Sequence, residues 1–408
     1  MTGNASIEPL LITREAELAE VAKRLARSPR VAFDLESNGM HAYRATACII
    51  QLGCEGEVIV VDALATSLAP LAELLASPDT EKVVHDVSFD ARILAEAGVV
   101  LANARDTSIA ARMLTRPATG LAALLEGELG VHIDKKMQQH DWAQRPLTAA
   151  MVTYLAGDVL HLSALADRLF GEVAERGIGA EVEEETRYRL AQAIAAAGTE
   201  EPRPPYVRLK GIDRVPPDEL PILRHLANIR ELLSRELNVP PYKVLGPDVL
   251  FAIAKTKPAS LDELSKIRGA MGGRRARSIA SDLLDAVTAG IEDGAIPDED
   301  RVWFEKPRVP GALLRGRRAR EQRLTKWRKD EAKLRDVDEQ VILPGHCLQG
   351  LADLEDITVE GVAGVPGIGA FRAQRDGAAL LVVLSAPLTQ TAQTSHDLGP
   401  ATPREPTT

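Results

Sequence analysis

The chain has 408 residues and a formal net charge of −10 at pH 7; 45% of its residues are hydrophobic but only 3% are aromatic. This length predicts two or three domains, with cores built on alanine, leucine and valine. Three cysteines without paired spacing argue against a disulfide framework and against a zinc site. Because neither a leader pattern nor an apolar run long enough to span a bilayer is evident, we expect a cytoplasmic protein without a membrane partner.

The first half of the chain alternates predicted strands with predicted helices. Three consecutive strands favour an antiparallel meander with the first strand at its centre, and the whole pattern predicts an α/β domain with a mixed sheet. Thr13, Ser88 and Thr148 are the predicted helix N-caps. Strands are predicted at residues 31–36, 47–52, 57–61 and 82–84. Helices are predicted at residues 13–28, 68–75, 88–96, 106–114, 120–129 and 148–170.

The second half of the chain is predicted to be helical and repetitive. Residues 198–205 are polar and rich in proline, which is typical of a linker. Beyond them, Leu226–Pro247 aligns with Leu324–Gly345 without a gap at an offset of 98 (324 − 226), which predicts two small all-α domains of one type. The predicted boundaries are 1–200 for the α/β domain, 201–217 for a linker, 218–294 for the first helical domain, 295–314 for a second linker, 315–386 for the second helical domain and 387–408 for a disordered tail.

Two carboxylates end the first predicted strand. Asp34 and Glu36 are two residues apart, and side chains at this spacing on a strand point to the same face. Neighbouring like charges are costly unless a proton or a cation lies between them, and oxygen ligands suit Mg²⁺ or Mn²⁺. A solvated acidic turn is the alternative interpretation of this pair taken alone.

Other acidic residues and a tyrosine extend this pattern. Asp90 falls in the first turn of a predicted helix, where the helix dipole alone would favour a carboxylate. Tyr154 and Asp158 are four residues apart on another helix and share one face, beside an apolar stripe. Four carboxylates and one tyrosine fit phosphodiester cleavage by two cations held roughly 3.5–4 Å apart, with the tyrosine directing a proton of the attacking water.

These segments resemble a known superfamily. The stretches Asp34-Leu35-Glu36, His85 to Asp90 and Tyr154 to Asp158 resemble, in order and spacing, the three motifs of the DEDD exonucleases in their tyrosine subclass. The chain resembles in particular the ribonuclease D family, through Asp141-Trp142 and Arg145-Pro146-Leu147. Each helical repeat resembles the HRDC domain (helicase and RNase D, C-terminal).

The resemblance implies a fold, a reaction and roles for residues. The fold would be an RNase H-like α/β exonuclease domain followed by two HRDC domains. Asp34, Glu36 and Asp158 would bind two divalent cations, Mg²⁺ or Mn²⁺, directly; Asp90 would hold the second cation mostly through water, and Tyr154 would orient the attacking water. The enzyme would degrade RNA from its 3′ end, tRNA precursors among its substrates, and release 5′-mononucleotides.

Substrate contacts are predicted with less support from the pattern. Asn38, Met40 and His85 are candidate pocket residues because they lie near the acidic motifs, although His85 also fits a packing role. Trp142 is interpreted as a core residue and Asp106 as a helix cap. Basic residues crowd the start of the second helical domain in an otherwise acidic chain, which favours a phosphate-binding face over a solvated helix surface. The candidates are Arg315, Arg317, Arg318, Arg320, Lys326 and Arg328.

Two alternative functions stay open at this point. A DNA exonuclease would use the same chemistry, because the choice of sugar depends on contacts with the 2′-hydroxyl that no motif reveals. A protein that binds RNA without cleaving it is disfavoured, since all five functional positions are present. The expected partner is the 3′ end of an RNA, and no obligate protein partner is evident.

Overall fold

The structure is a computed structural model that describes residues 8–199, 201–305 and 310–386. The described chain divides into two units. The first comprises the residues up to 305 together with 336–342, and the second comprises 310–335 with 343–386. The predicted tail 387–408 lies outside the described residues.

Six strands form one mixed sheet in the order β1-β4-β3-β2-β5-β6. The predicted meander β2-β3-β4 is antiparallel, whereas β5 pairs in parallel with both β2 and β6, and β1 pairs in parallel with β4. The first predicted strand therefore lies inside the sheet, as expected. The strands are β1 (Leu10–Ile12), β2 (Arg30–Ser37), β3 (Ala47–Cys54), β4 (Glu57–Asp62), β5 (Glu81–Val84) and β6 (Ala104–Asp106).

Helices cover both faces of this sheet. Short 3₁₀ or π turns at Ala69–Leu71 and Leu125–Leu129 adjoin α2 and α5. The helices are α1 (Glu15–Leu25), α2 (Ala72–Ala76), α3 (Val87–Glu96), α4 (Thr107–Met113), α5 (Leu121–Leu124), α6 (Ala149–Leu160), α7 (Leu162–Glu175) and α8 (Gly179–Ala196).

Several predicted boundaries differ from the structure. The N-cap of α1 is Arg14 and not Thr13. Helix α3 begins one residue before the predicted cap Ser88, because Asp86 turns the chain with a left-handed φ of 67°. The long helix predicted for 148–170 is interrupted at His161, whose φ of −108° and ψ of 1° separate α6 from α7.

The alternation of β2 decides where its carboxylates point. Val31, Phe33 and Leu35 pack in the core on one face of the sheet, whereas Ala32 packs in the core on the other. Asp34 and Glu36 have the parity of Ala32 and therefore face the side that α6 and α7 cover. The strand period thus points the acidic pair toward the helix that carries Tyr154 and Asp158.

A glycine allows this helix to lie close to the sheet. A Cβ atom added to Gly53 on β3 would be 2.9 Å from the carbonyl oxygen of Val159 on α6 and 3.3 Å from the Cβ of Ala32. Real Cβ atoms do not approach a backbone oxygen so closely. Any other residue at this position would push the helix away from the sheet.

One stretch of the described residues, Ala149–Glu175, has the length and composition of a membrane-spanning helix. The expectation that no apolar run reaches this length is therefore wrong here. The stretch is α6 followed by α7, and its apolar side chains, such as Leu155, Val159 and Leu165, are buried against the sheet. Its hydrophobicity belongs to the core of this domain.

The first helical domain also includes part of the predicted linker. Tyr206, Leu209 and Ile212 are buried in its core, and the Tyr206 hydroxyl is hydrogen-bonded to Asp300 Oδ2 at 2.9 Å. Prolines dominate the composition before Tyr206, but the three apolar side chains recur every third residue and belong to one buried core. The helices of this domain are α9 (Leu220–Glu236), α10 (Pro247–Thr256), α11 (Leu261–Lys266), α12 (Arg274–Ser278), α13 (Ala280–Asp293) and α14 (Asp298–Arg301).

The second unit repeats this helical pattern. Its long first helix carries the predicted basic face, and Gly345 opens α17 as Pro247 opens α10, at the predicted offset of 98. The short α16 (Glu339–Ile342) belongs to the first unit, where Val341 is buried. The helices of the second unit are α15 (Gly311–Arg335), α17 (Gly345–Ala352), α18 (Val359–Ala363) and α19 (Gly369–Ser385).

Candidate active site

Strand β2 and helix α6 bring three carboxylates together. Asp34 and Glu36 project from β2, and Asp158 projects from α6, whose start is capped by Thr148 accepting from the Met151 N–H at 3.3 Å. One ligand oxygen from each of the three carboxylates lies within 4.8 Å of the others. Residues far apart in the sequence therefore form one compact all-oxygen site that fits a hard divalent cation.

Asp90 lies near this site, just after a turn whose backbone is held by another aspartate. Its side chain is only 6% exposed, in the first turn of α3. The turn before α3 is held by Asp106, whose carboxylate accepts from the N–H groups of Asp86 at 3.1 Å and Val87 at 2.8 Å. Asp106 also caps α4, accepting from Ser108 N–H at 2.8 Å. The predicted capping role of Asp106 is confirmed. The same carboxylate also holds the backbone of the turn that precedes Asp90.

The charges at the site are poorly balanced by the protein itself. Burial raises the pKa of Asp34 to about 6. Burial, and then the charges of Asp34 and Asp158, raise the pKa of Glu36 to about 9. Burial and Asp34 raise the pKa of Asp158 to about 8, and burial with the charges of Asp34 and Glu36 raises that of Asp90 well above its usual value. A cluster that resists ionisation in this way fits bound cations, which would remove the repulsion.

Tyr154 lies one helical turn before Asp158 and faces the same cluster. Burial and then the charges of Asp158 and Glu36 raise the pKa of its hydroxyl to about 12. At neutral pH the phenol therefore stays protonated. It is suited to orienting a water molecule through hydrogen bonds beside the carboxylates.

A cleft of about 1000 Å³ opens beside Glu36. Met40 lines it with 48% of its surface exposed, as does Phe89 with 43%. Four arginines and four glutamates line its walls, and Arg92 pairs with Glu96 while Arg208 and Arg235 pair with Glu231. Arg208 and Arg235 come from the first helical domain and the segment leading into it. The arginines are Arg44, Arg92, Arg208 and Arg235.

Of the three predicted pocket residues, Met40 alone lines the cleft. Asn38 uses its side-chain oxygen to close the loop after β2, accepting from Thr46 N–H at 2.9 Å and Thr46 Oγ1 at 3.2 Å. His85 Nδ1 is hydrogen-bonded to Thr107 Oγ1 at 2.9 Å. Proximity in sequence to the acidic motifs was therefore a poor guide to the pocket, because loop closure and helix packing use two of these side chains.

The first helical domain holds the loop that follows β2. The Tyr43 N–H donates to Asn238 Oδ1 at 3.1 Å, and the Tyr43 hydroxyl donates to Glu231. The Tyr242 hydroxyl donates to the carbonyl oxygen of Met40 at 3.0 Å. This domain therefore forms one wall of the cleft and fixes the backbone beside Met40.

The predicted basic face on α15 is only partly available to a ligand. Arg320 Nε donates to the carbonyl oxygen of Ala352 at 2.9 Å, and Arg317 Nε pairs with Asp353 at 2.6 Å. Lys326 pairs with Asp330, one turn further along α15. Arg328 also has an interaction partner within the protein.

Arg315 and Arg318 are exposed and have neither an ion pair nor a hydrogen bond among the residues that the structure describes. These two arginines are therefore the members of the predicted basic face that stay available for phosphate.

Sequence reasoning did not identify two buried polar residues next to the acidic site. Gln51 lies directly opposite Asp34 on β3 and is fully buried. Trp142, predicted as core and indeed 1% exposed, also lies beside Glu36 at the cleft. The only signal for Gln51 is a polar residue within an apolar strand, and nothing in the sequence relates Trp142 to Glu36.

Family models match the same parts of the chain. A model described as 3′-5′ exonuclease matches residues 9–174, and the HRDC domain model matches residues 219–287 and 317–384. Two solved structures share the fold. Escherichia coli RNase D is 22% identical with a TM-score of 0.66, covering 93% of this chain and 99% of that one. The catalytic core of Trypanosoma brucei RRP6 is 24% identical with a TM-score of 0.63, covering 71% and 82%.

The mixed sheet and its acidic cluster, within a segment that the exonuclease model matches, define a metal-dependent 3′–5′ exonuclease. Ribonuclease D of Gluconacetobacter diazotrophicus is 33% identical over 319 residues, which cover 75% of this chain and 78% of that protein. Ribonuclease D of Nitrobacter hamburgensis is 30% identical over 381 residues, covering 91% and 94%. The chain belongs to the ribonuclease D family, and it is a 3′–5′ exoribonuclease with two HRDC domains.

Proposed function

We propose that this enzyme removes 5′-mononucleotides one at a time from the 3′ ends of structured RNAs, tRNA precursors among them, with two Mg²⁺ or Mn²⁺ ions. The observation that carries the proposal is the carboxylate cluster of Asp34, Glu36 and Asp158, within 4.8 Å, with Tyr154 beside it. When bound, two cations lower the pKa of an attacking water and stabilise charge on the leaving 3′ oxygen.

The carboxylates and Tyr154 would have different roles in the reaction. Asp34, Glu36 and Asp158 would hold the cations. Asp90 is buried and lies close enough to Asp34 and Glu36 for their negative charges to raise its pKa further, a position suited to contact with a cation through water. The neutral Tyr154 hydroxyl orients the attacking water and directs its proton.

The cleft supports a nucleic-acid substrate. It adjoins Glu36 and presents the exposed Phe89 ring for a base. Arginines on its walls could contact phosphates, although Arg92 already pairs with Glu96, and Arg208 and Arg235 pair with Glu231. Because the first HRDC domain forms one wall, we propose that a single-stranded 3′ end enters between the two domains. The E. coli RNase D structure is described as an exoribonuclease involved in structured RNA processing, which supports structured RNA as the substrate class here.

We propose a cytoplasmic location. All three cysteines, Cys48, Cys54 and Cys347, are buried free thiols. Free thiols are the usual state in a reducing compartment.

Incubation with matched 3′-labelled RNA and DNA strands, in Mg²⁺, Mn²⁺ or EDTA, tests the proposal. We expect label to be released from RNA as a 5′-mononucleotide in either metal and retained in EDTA. Equal release from DNA would favour the alternative DNA exonuclease. Binding of RNA without release in any metal would contradict catalysis and favour an RNA-binding protein.

A tRNA precursor with a 3′ extension and its mature counterpart test the finer substrate assignment. We expect the extension to be trimmed to the base of the acceptor stem. An enzyme that degrades unstructured RNA but leaves this extension intact would contradict the tRNA assignment while preserving the exoribonuclease.

A further inference from the structure

Two buried polar groups beside the carboxylate cluster have no hydrogen-bond partner among the residues that the structure describes: the indole Nε1–H of Trp142 and the side-chain amide of Gln51. Trp142 is 1% exposed and Gln51 is 0% exposed. A buried polar group left without a partner destabilises the fold, and such groups are rare in native proteins. Two of them beside one site call for a physical explanation.

Gln51 lies behind Asp34. The two residues are direct partners in the antiparallel register of β2 and β3, so their side chains project from the same face of the sheet. Directly opposed residues have Cβ atoms about 4.5–5.5 Å apart, which places an amide donor within reach of the Asp34 carboxylate. On its other side Gln51 pairs with Val60 of β4, whose apolar side chain offers no hydrogen bond.

Trp142 lies behind Glu36. Trp142 and Glu36 line the same cleft, and the indole N–H is directed at the Glu36 carboxylate. The indole is close to this carboxylate but does not form a complete hydrogen bond with it. Its ring is also stacked on Tyr154, with centroids 5.9 Å apart and planes inclined by 30°.

An anchor holds the backbone of Trp142 in place. Arg145 binds Asp62 of β4 with two bonds of 2.6 Å and donates to the carbonyl oxygens of Trp142 at 2.7 Å and Cys48 at 3.1 Å. Arg145 therefore ties the Trp142 segment to β4 and to β3, and β3 is the strand that pairs with the acidic strand β2. The indole is thereby fixed relative to the sheet that carries Glu36.

We propose that Gln51 and Trp142 are positioning residues for the metal ligands: with cations bound, the Gln51 amide would donate to Asp34 and the Trp142 indole N–H would donate to Glu36. The proposal rests on the proposed metal-dependent function. It gives each of the two buried donors a hydrogen-bond partner. A donor that hydrogen-bonds a carboxylate ligand holds it in the orientation that binds the metal. The two donors would therefore raise the affinity of the site for cations.

Calorimetric titration with Mn²⁺ alone, without RNA, tests the Gln51 part. Gln51→Leu keeps the side-chain volume and removes the amide. We expect the Kd for Mn²⁺ to rise about tenfold or more, while the melting temperature of the metal-free protein stays equal or rises. A merely structural glutamine would lower the melting temperature when replaced. Gln192→Leu, at an exposed position of α8, is the matched control.

The Trp142 part needs a substitution that preserves packing. Trp142→Phe removes the N–H but also part of the ring, so 3-benzothienylalanine at position 142, which keeps the bicyclic shape and replaces N–H by sulfur, is the decisive variant. We expect Mn²⁺ affinity to fall about tenfold in both. Trp303→Phe, at a residue that is 40% exposed, is the control.

Mn²⁺ affinity within twofold of wild type in Gln51→Leu, or in the benzothienylalanine protein, overturns the assignment of that residue. This failure differs from failure of the proposed function. Wild-type protein that binds Mn²⁺ but releases no nucleotide from RNA would contradict the function alone. Wild-type activity with unchanged Mn²⁺ affinity in the variants would contradict the positioning role alone.

Discussion

The acidic cluster of the exonuclease domain and the arginine-rich helix α15 are both concentrations of like charge, yet the protein treats them differently. Around Glu36 the fold gathers further carboxylates, and burial followed by the charges of Asp34 and Asp158 raises the pKa of Glu36 to about 9. On α15, Arg320 donates to the Ala352 carbonyl and Arg323 to the Val383 carbonyl at 2.8 Å, at helix ends where such oxygens lack partners. Charge that the fold leaves unbalanced indicates a ligand, whereas charge that it balances is architectural.

Removing a ligand from the unbalanced cluster should have the largest effect. Asp34→Ala, Glu36→Ala or Asp158→Ala should abolish nucleotide release, because each removes an oxygen that holds a cation. The metal-free proteins should melt no lower than wild type, since like-charge repulsion is relieved. Release of label from RNA and thermal unfolding in EDTA measure both effects. Asp79→Ala, an exposed carboxylate, is the control, and near-normal turnover in any of the three variants would refute the assignment of that ligand.

Tyr154→Phe should have the next largest effect. We expect kcat to fall by about 10² or more, the usual contribution of a positioned proton-transfer group, with the Kd for RNA unchanged because the ring still packs on Trp142. Single-turnover kinetics and RNA binding separate the two quantities. A kcat within threefold of wild type would make Tyr154 a structural residue.

The two kinds of arginine on α15 should behave differently. Replacing Arg315 and Arg318 with Ser should raise KM for structured RNA severalfold and lower the salt slope of binding by about one to two, since each phosphate contact contributes roughly 0.7–0.9. kcat should not change. Arg320→Ser should instead lower the melting temperature, because the Ala352 carbonyl loses its donor. Measuring KM against ionic strength for wild type and the Arg315/Arg318 variant tests this prediction. Identical salt slopes in the two proteins would mean that Arg315 and Arg318 do not contact phosphate.

Stability against pH should show the smallest effect. Asp34, Asp158 and Glu36 titrate at about 6, 8 and 9 in the folded protein, above the roughly 4 of free carboxyls. Their raised pKa values mean that the folded state binds more protons than the unfolded state, so the contribution is complete below about pH 4 and is lost as pH rises through about 6 to 9.

In EDTA the melting temperature should therefore fall between about pH 5 and pH 9, and saturating Mg²⁺ should restore most of the loss by binding the folded state. Glu36→Gln should flatten the pH dependence in EDTA. Unfolding curves at several pH values measure both effects. A wild-type melting temperature that does not change when Mg²⁺ is added would contradict the cation site.

Local periodicity was enough to find the acidic pair. The alternation of β2 placed Asp34 and Glu36 on one face, and the spacing of four placed Tyr154 with Asp158. Asp106 was found as a cap because capping is a local rule. These predictions needed only the geometry of a single strand or helix.

Contacts between distant segments could not be predicted in this way. Tyr43 and Glu231 are 188 positions apart, and no local pattern pairs them. The partners of Arg320 and Arg323 likewise lie on other helices, so counting charges along α15 overstated its free surface. The break at His161 was hidden because the apolar stripe continues across it from α6 into α7.

The lack of a side chain at Gly53 limits which substitutions this enzyme can accept near its active site. Its hydrogen stands where a methyl group would be 2.9 Å from the Val159 carbonyl, one residue beyond Asp158. Cations for this reaction must lie roughly 3.5–4 Å apart, so a helix displaced by a fraction of an ångström would separate Asp158 from Asp34. The absence of a side chain at Gly53 therefore sets the distance between α6 and the sheet at the cation site, and the position tolerates little substitution.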